Sequence, residues 1–151
     1  MLTIEKMLIL RSAALFAEVR EEYVASAALA ATEIHLAAGQ VLFAQGDPGT
    51  AMFVVASGQL EVQVSGKSVN LIGEREVVGE MAVLDPEPRS ATVVALKDSV
   101  LLRLTSENLD WLMGEDVEVA RGIIQILCRR LRWRDADRDA SLDSAADPHA
   151  V

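Results

Sequence analysis

Residues 51–66, AMFVVASGQLEVQVSG, decide the fold class. An apolar run from Ala51 to Ala56 meets the turn pair Ser57–Gly58. Leu60, Val62 and Val64 then alternate with Glu61 and Gln63 as far as a second turn pair, Ser65–Gly66. A short apolar run and an alternating run, each bounded by turn residues, read as two β-strands with Gly58 between them. The same texture extends outward over residues 33–104, through EIHL, VLF, SVNLIG, EVVG, SATVVAL and SVLLRL, with turn residues between the runs. Turn signals at roughly 8–12 residue spacing predict an antiparallel roll and exclude alternating strand–helix units. The expected fold is mainly β: a jelly-roll-like antiparallel β-roll with flanking helices.

The flanks are helical. Over residues 1–31, Ile4, Met7, Leu8 and Leu15 recur at helical spacing, and YVASAALAA resumes the helix after a break at Leu15–Val19. Thr105 is the expected N-cap of SENLDWLMGE, and a long helix follows Asp116. There Val117, Ala120, Ile124, Leu127 and Leu131 keep heptad-like spacing, an apolar side available to the roll or to a second copy. Its polar side carries five Arg between Arg121 and Arg134 and no acid. The expected division is one domain over 1–134 (helices 1–31, roll 33–104, helices 105–134) and a disordered acidic tail over 135–151.

Composition narrows the function. The 151 residues carry a formal net charge of −9, which argues against a broad surface for DNA, RNA or an anionic membrane. The lone Cys128 can form no internal disulfide. The start, MLTIEKMLIL, mixes charge with apolar residues and reads as a helix, and no apolar run reaches 18 residues, so a soluble cytoplasmic protein is expected. Nucleophile-elbow, zincin, Walker and dinucleotide motifs are all lacking, which predicts a non-enzyme with no metal and no cofactor.

The chemistry-bearing stretch is Val78–Thr92, VGEMAVLDPEPRSAT. It supplies a glycine for a sharp turn, the Glu80 carboxylate, apolar residues enough for one helical turn over 80–84, a proline-bounded loop, and Arg89 entering a strand. The free amides of that turn and the Arg89 guanidinium would share one space and form a small anion site. A carboxylate beside an anion becomes useful when the ligand also carries a hydroxyl donor, such as a ribose 2′-OH.

The Gly79-Glu80-Met81-Ala82 … Pro88-Arg89-Ser90-Ala91-Thr92 run resembles the phosphate-binding cassette of cyclic nucleotide-binding domains, of the catabolite activator protein and protein kinase A regulatory subunit type. The turn Gln45–Gly49, the strand pair around Gly58 and the closing CRRLR helix are similar too, so the resemblance covers about residues 10–134. It implies that Glu80 accepts from the ribose 2′-OH, Arg89 pairs with the cyclic phosphate, and the amides of Met81, Ala82, Ser90 and Ala91 complete the cradle. Gly79 would permit the close backbone approach. Ser90 stands where the family has Ala in many cAMP sites and Thr in cGMP-preferring ones, and so leaves the base choice open; the resemblance as a whole makes cAMP the expected ligand, with cGMP the other candidate. The lid over the base would come from Arg130, Trp133 or Arg134; the family's hydroxyl residues that reach adenine are replaced here by Arg134 and Asp135.

Plainer readings stand beside these. The alternative reading of Glu80 and Arg89 is an internal salt bridge, in a module that kept the fold, lost the ligand and assembles through its apolar helix face. Trp133 would then pack on its own domain or on a partner, and the Arg run would be a solvated face. The 17 residues after Arg134 are too few for a DNA-reading domain, so the expected partners are a cyclic nucleotide, a second copy through the long helix, or an effector protein, with no direct nucleic-acid binding. A chain that is part of a longer regulator is the third alternative.

Overall fold

The computed structural model describes residues 1–140, with side chains through Arg132. Trp133 and Arg134, two of the lid candidates, have side chains outside the described residues, as does the greater part of the acidic tail. Helix α1 (Thr3–Ser12), a 3-10 turn (Ala14–Phe16) and α2 (Glu21–Ala30) lead into β1 (Thr32–Leu36), β2 (Val41–Phe43), β3 (Ala51–Ser57), β4 (Leu60–Val64), β5 (Lys67–Ile72) and β6 (Val77–Val78). The one-turn helix α3 (Met81–Leu84), β7 (Thr92–Ala95), β8 (Ser99–Thr105), α4 (Ser106–Glu115) and α5 (Val117–Ala140) complete the order. Helix α5 thus runs beyond Arg134, where the sequence reading ended it.

The strands form two four-stranded antiparallel sheets, ordered β1-β8-β3-β6 and β2-β7-β4-β5. These are the β-roll expected from the turn rhythm. One sheet has both faces covered. On β3, Ala51, Phe53 and Val55 point into the roll, whereas Met52 and Val54 join a second core with Leu10, Phe16, Leu109 and Ile123 of the helical layer. On its neighbour β8, Leu101 faces the roll while Leu102 and Leu104 face the helices. This double burial is the physical reason that AMFVVA is continuously apolar. On β4, in the other sheet, Leu60 and Val62 are fully buried while Glu61 and Gln63 are only half-buried, so its sequence alternates.

The helical layer is pinned to the roll at its joints. Thr105 caps α4 as expected, its hydroxyl accepting from the Asn108 amide at 3.2 Å. Asp116, between α4 and α5, accepts from the amides of Glu118 and Arg20, each at 3.0 Å, so one carboxylate starts α5 and holds the head of α2. Gly122 of α5 lies directly on the 3-10 turn, where a Cβ would stand 2.2 Å from the Leu15 carbonyl oxygen.

Two amphipathic faces differ from the sequence pattern. On α1, Leu10 is the buried residue, and Ile4 and Leu8, two of the residues that defined the expected face, are exposed; a short helix over a small core has room for one turn of contact. On α5 the domain-facing residues are Val119, Gly122 and Ile123, and Leu127 of the expected heptad row packs against the same core beside Ile126, with Ala120 half-buried. The heptad positions Val117, Ile124 and Leu131 turn away, with 64%, 55% and 56% exposure.

Candidate functional site

The site grows out of the break between β6 and β7. Gly79 follows β6 with φ +83°, a left-handed conformation that side chains resist, and a Cβ there would fall 2.6 Å from Arg89 Nη1. Glycine is needed twice over, for the turn and for the space. The turn delivers Glu80, fully buried, to the start of α3. In so short a helix the amides of Met81 and Ala82 have no partner within the helix.

Arg89 enters from the far end of the loop and is held from every side. Its Nη2 donates to the Ala51 carbonyl at 2.7 Å and its Nη1 to the Gly79 carbonyl at 3.3 Å, while the guanidinium lies 4.0 Å from the centre of the Phe43 ring. A Cβ on Gly49 would meet both Ala82, at 2.6 Å, and Arg89 Nε, at 3.0 Å, so this glycine also makes room for the arginine. The backbone is clamped as well: the Arg89 amide donates to the Asp47 carbonyl at 2.7 Å, and the Gly46 amide donates to the Arg89 carbonyl at 2.8 Å. Burial pushes the guanidinium below its ordinary value against the pull of the Glu80 and Asp47 carboxylates.

Glu80 pairs with α5. Arg130 Nη1 donates to Glu80 Oε1, and Arg130 Nη2 donates to the Val77 carbonyl at 2.9 Å. Burial pushes the Glu80 carboxyl up, opposed chiefly by Arg130 and more weakly by Arg89. Among the described residues, two buried atoms of the site have no hydrogen-bond partner: Glu80 Oε2 and Arg89 Nε. Buried polar groups are almost always satisfied in folded proteins, so a carboxylate oxygen and a guanidinium N–H left over on the same cassette point to a ligand that supplies one donor and one acceptor.

The structure brings Gly79, Glu80, Arg89 and Arg130 together, as the sequence reading grouped them, with Ala82 beside Gly49. Ala91 is buried, whereas Ser90 and Met81 are exposed. Among the described residues the ion pair is Glu80–Arg130, so the plainer reading of a Glu80–Arg89 salt bridge is replaced by one that ties the cassette to the last helix. Phe43, Asp47 and the Ala51 carbonyl were not singled out from the sequence. The Gln45–Gly49 turn is visible in the sequence, but its grip on the Arg89 backbone exists only in three dimensions.

A roll of two sheets, a cassette with an arginine and a glutamate facing one space, and a long helix locked to that glutamate define a ligand-binding regulatory module. The family model described as the cyclic nucleotide-binding domain matches residues 33–116, more than half of the chain. The chain belongs to this family. It is 38% identical over 106 residues to the cyclic AMP receptor protein of Thermus thermophilus, covering 67% of this chain and 49% of that protein. The crystal structure of the Thermus thermophilus catabolite activator protein superposes with a TM-score of 0.77 at 34% identity, over 85% of this chain and 62% of that one. The regulatory domain of Toxoplasma gondii protein kinase A, solved with cAMP, gives a TM-score of 0.67 at 28% identity over 73% of this chain and 44% of that chain. The chain therefore spans about half the length of the Thermus receptor protein that it matches.

Proposed function

We propose that this domain is a sensor that binds a 3′,5′-cyclic nucleotide, cAMP in the first place, and transmits the event through α5. The observation that carries the proposal is the pair of unpartnered buried atoms, Glu80 Oε2 and Arg89 Nε. A ribose 2′-OH donates to the first, and a cyclic phosphate oxygen accepts from the second, so one ligand satisfies both. The amides of Met81, Ala82, Ser90 and Ala91 add neutral donors to the phosphate, and the Phe43 ring under the guanidinium steadies it from the other face.

The output runs through the other oxygen of the same carboxylate. Arg130 grips Glu80 Oε1, so a hydroxyl arriving at Oε2 changes the charge that Arg130 feels and with it the hold on α5. The ligand shifts the helix only by the difference between its affinities for the two helix positions. The exposed row Val117, Ile124 and Leu131 gives α5 an apolar seam for a second copy. An effector protein is the other partner. No helix among the described residues is long and apolar enough to cross a membrane.

Calorimetric titration with cAMP and with cGMP tests the reading. Binding by the native chain that is lost in Arg89→Ala is the expected result. No heat with either nucleotide, from a chain whose dimerisation through α5 persists, would favour the second reading, an assembly module without ligand.

A further inference from the structure

The three phenylalanines are buried, whereas Tyr23 and Trp111 meet at the surface between α2 and α4. Trp111 is 54% exposed, although Leu109 and Leu112 of the same helix are buried. Its ring stands edge-on to the half-buried Tyr23 ring, with centres 6.2 Å apart and planes at 66°. Tyr23 is braced in turn: the Arg20 guanidinium lies 4.9 Å from the centre of its ring, and its hydroxyl donates to Glu115 Oε2 at 3.4 Å. Arg20 itself is held by Asp116, at 3.6 Å, and by the Glu115 carbonyl, at 3.2 Å. An exposed tryptophan on so fixed a base gives up little freedom when a partner covers it. Tryptophan, tyrosine and arginine are also the residues that carry most binding energy at protein interfaces, and here the three touch.

Charge around this cluster is of one sign. Over residues 17–30 and 105–116 Arg20 is the only base against seven acids. Six of the seven are exposed, and the seventh is Asp116, spent on the joint. Glu107 and Glu115 stand one helical turn to either side of Trp111, on its face of α4, and Glu22 is next to Tyr23. The single cation is already engaged, so a partner meets an aromatic edge in a negative field. Such a face repels nucleic acid and anionic lipid and attracts a polycation.

We propose that the α2–α4 face docks a basic segment of an effector protein, which sets an apolar side chain against Trp111 and Tyr23 and its lysines or arginines against Glu107, Glu115 and Glu22. Opposite charges across the interface choose the partner and its register, and the aromatic pair supplies the anchor. The face is placed to report on the cassette. Helix α4 packs against α3, the turn that begins at Glu80, and its end is tied through Asp116 to the start of α5. This link to the ligand rests on the proposed function; the docking face does not.

The probe is a fluorescently labelled helical peptide with leucine on one face and lysine and arginine on the other, titrated with the full chain and followed by anisotropy. Its controls carry glutamate for the cations or serine for the leucines, and each should bind about tenfold more weakly. Trp111→Ser should weaken the basic peptide by about tenfold and Glu107→Lys by about fivefold, with far-UV circular dichroism unchanged in both. Glu74→Lys, on the β5–β6 turn, makes the same change in net charge away from this face and should alter binding by less than about twofold. No binding, binding indifferent to Trp111→Ser, or equal losses in Glu107→Lys and Glu74→Lys would overturn the docking face. Self-association of the native chain that Glu107→Lys abolishes would assign the face to a second copy and overturn it too. Saturating cAMP should change the peptide's affinity by about fivefold; an unchanged affinity from a chain that binds cAMP overturns the link. If cAMP does not bind at all, the sensor reading falls, and the peptide titrations still decide the face.

Discussion

Arg130, on the last helix, closes an ion pair with Glu80, on the turn before α3, across 50 residues of chain. Glu80 is fully buried and Arg130 is 16% exposed, so the Glu80 charge above all has no water to turn to if its partner is removed. Breaking a buried pair on one side costs about 3 kcal/mol, because the remaining charge has lost its partner but not its burial. Arg130→Met and Glu80→Gln should each destabilise the domain by about that amount, and the double variant by clearly less than the sum. Urea denaturation of the four proteins checks this; additive losses would mean that the two side chains act separately.

Gly122 fixes where α5 lies. Alanine would gain about 1 kcal/mol of helix propensity there. Against this, its Cβ would sit 2.2 Å from the Leu15 carbonyl oxygen, a backbone atom in a turn that cannot step aside. Overpacking of this kind costs about 1–3 kcal/mol, and so close an overlap belongs at the upper end. Gly122→Ala should therefore lower stability, read as a lower urea midpoint, and an unchanged or higher midpoint would show that α5 is not seated on the 3-10 turn.

Asp116 gives the joint a pH dependence. Its carboxyl is held below the ordinary value first by the amides of Arg20 and Glu118, with the Arg20 guanidinium adding to them. A carboxyl lowered in the folded state contributes stability above its unfolded pKa, about 3.9, and loses it as pH falls through the folded value. Asp116→Asn should thus be less stable than the native chain at pH 7, with the two converging toward pH 3. Thermal melts across that range check it; a gap independent of pH would assign the loss to packing.

Ser90 is exposed beside the buried Arg89, so its hydroxyl is free to reach a base. If it reads the base, Ser90→Ala should weaken cGMP more than cAMP by a few-fold, the worth of one neutral hydrogen bond. An unchanged ratio from paired titrations would move base selection to α5.

The roll was legible because both of its sequence textures have direct structural causes. Continuous runs such as Ala51–Ala56 lie on strands buried on both faces, and alternating runs such as Leu60–Val64 lie where one face is less covered. The cassette was legible because Gly79, Glu80 and Arg89 are close in sequence and chemically distinctive. The α1 face was not, because Ile4, Leu8 and Leu10 are all apolar and pattern alone cannot say which of them meets the core. Nor was Arg75 visible as a strained residue, since nothing in an arginine's identity reports a positive φ. The stack of Arg89 on Phe43 joins residues of two strands and a loop, and only the fold brings them together.

One small ligand should satisfy Glu80 Oε2 and Arg89 Nε at once. A crystal structure of the chain grown with saturating cAMP decides this. Density is expected between the two residues, with a phosphate oxygen at hydrogen-bond distance from Arg89 Nε and the ribose 2′-OH at hydrogen-bond distance from Glu80 Oε2. Nucleotide density elsewhere on the domain, or a cassette without nucleotide at that concentration, would contradict it.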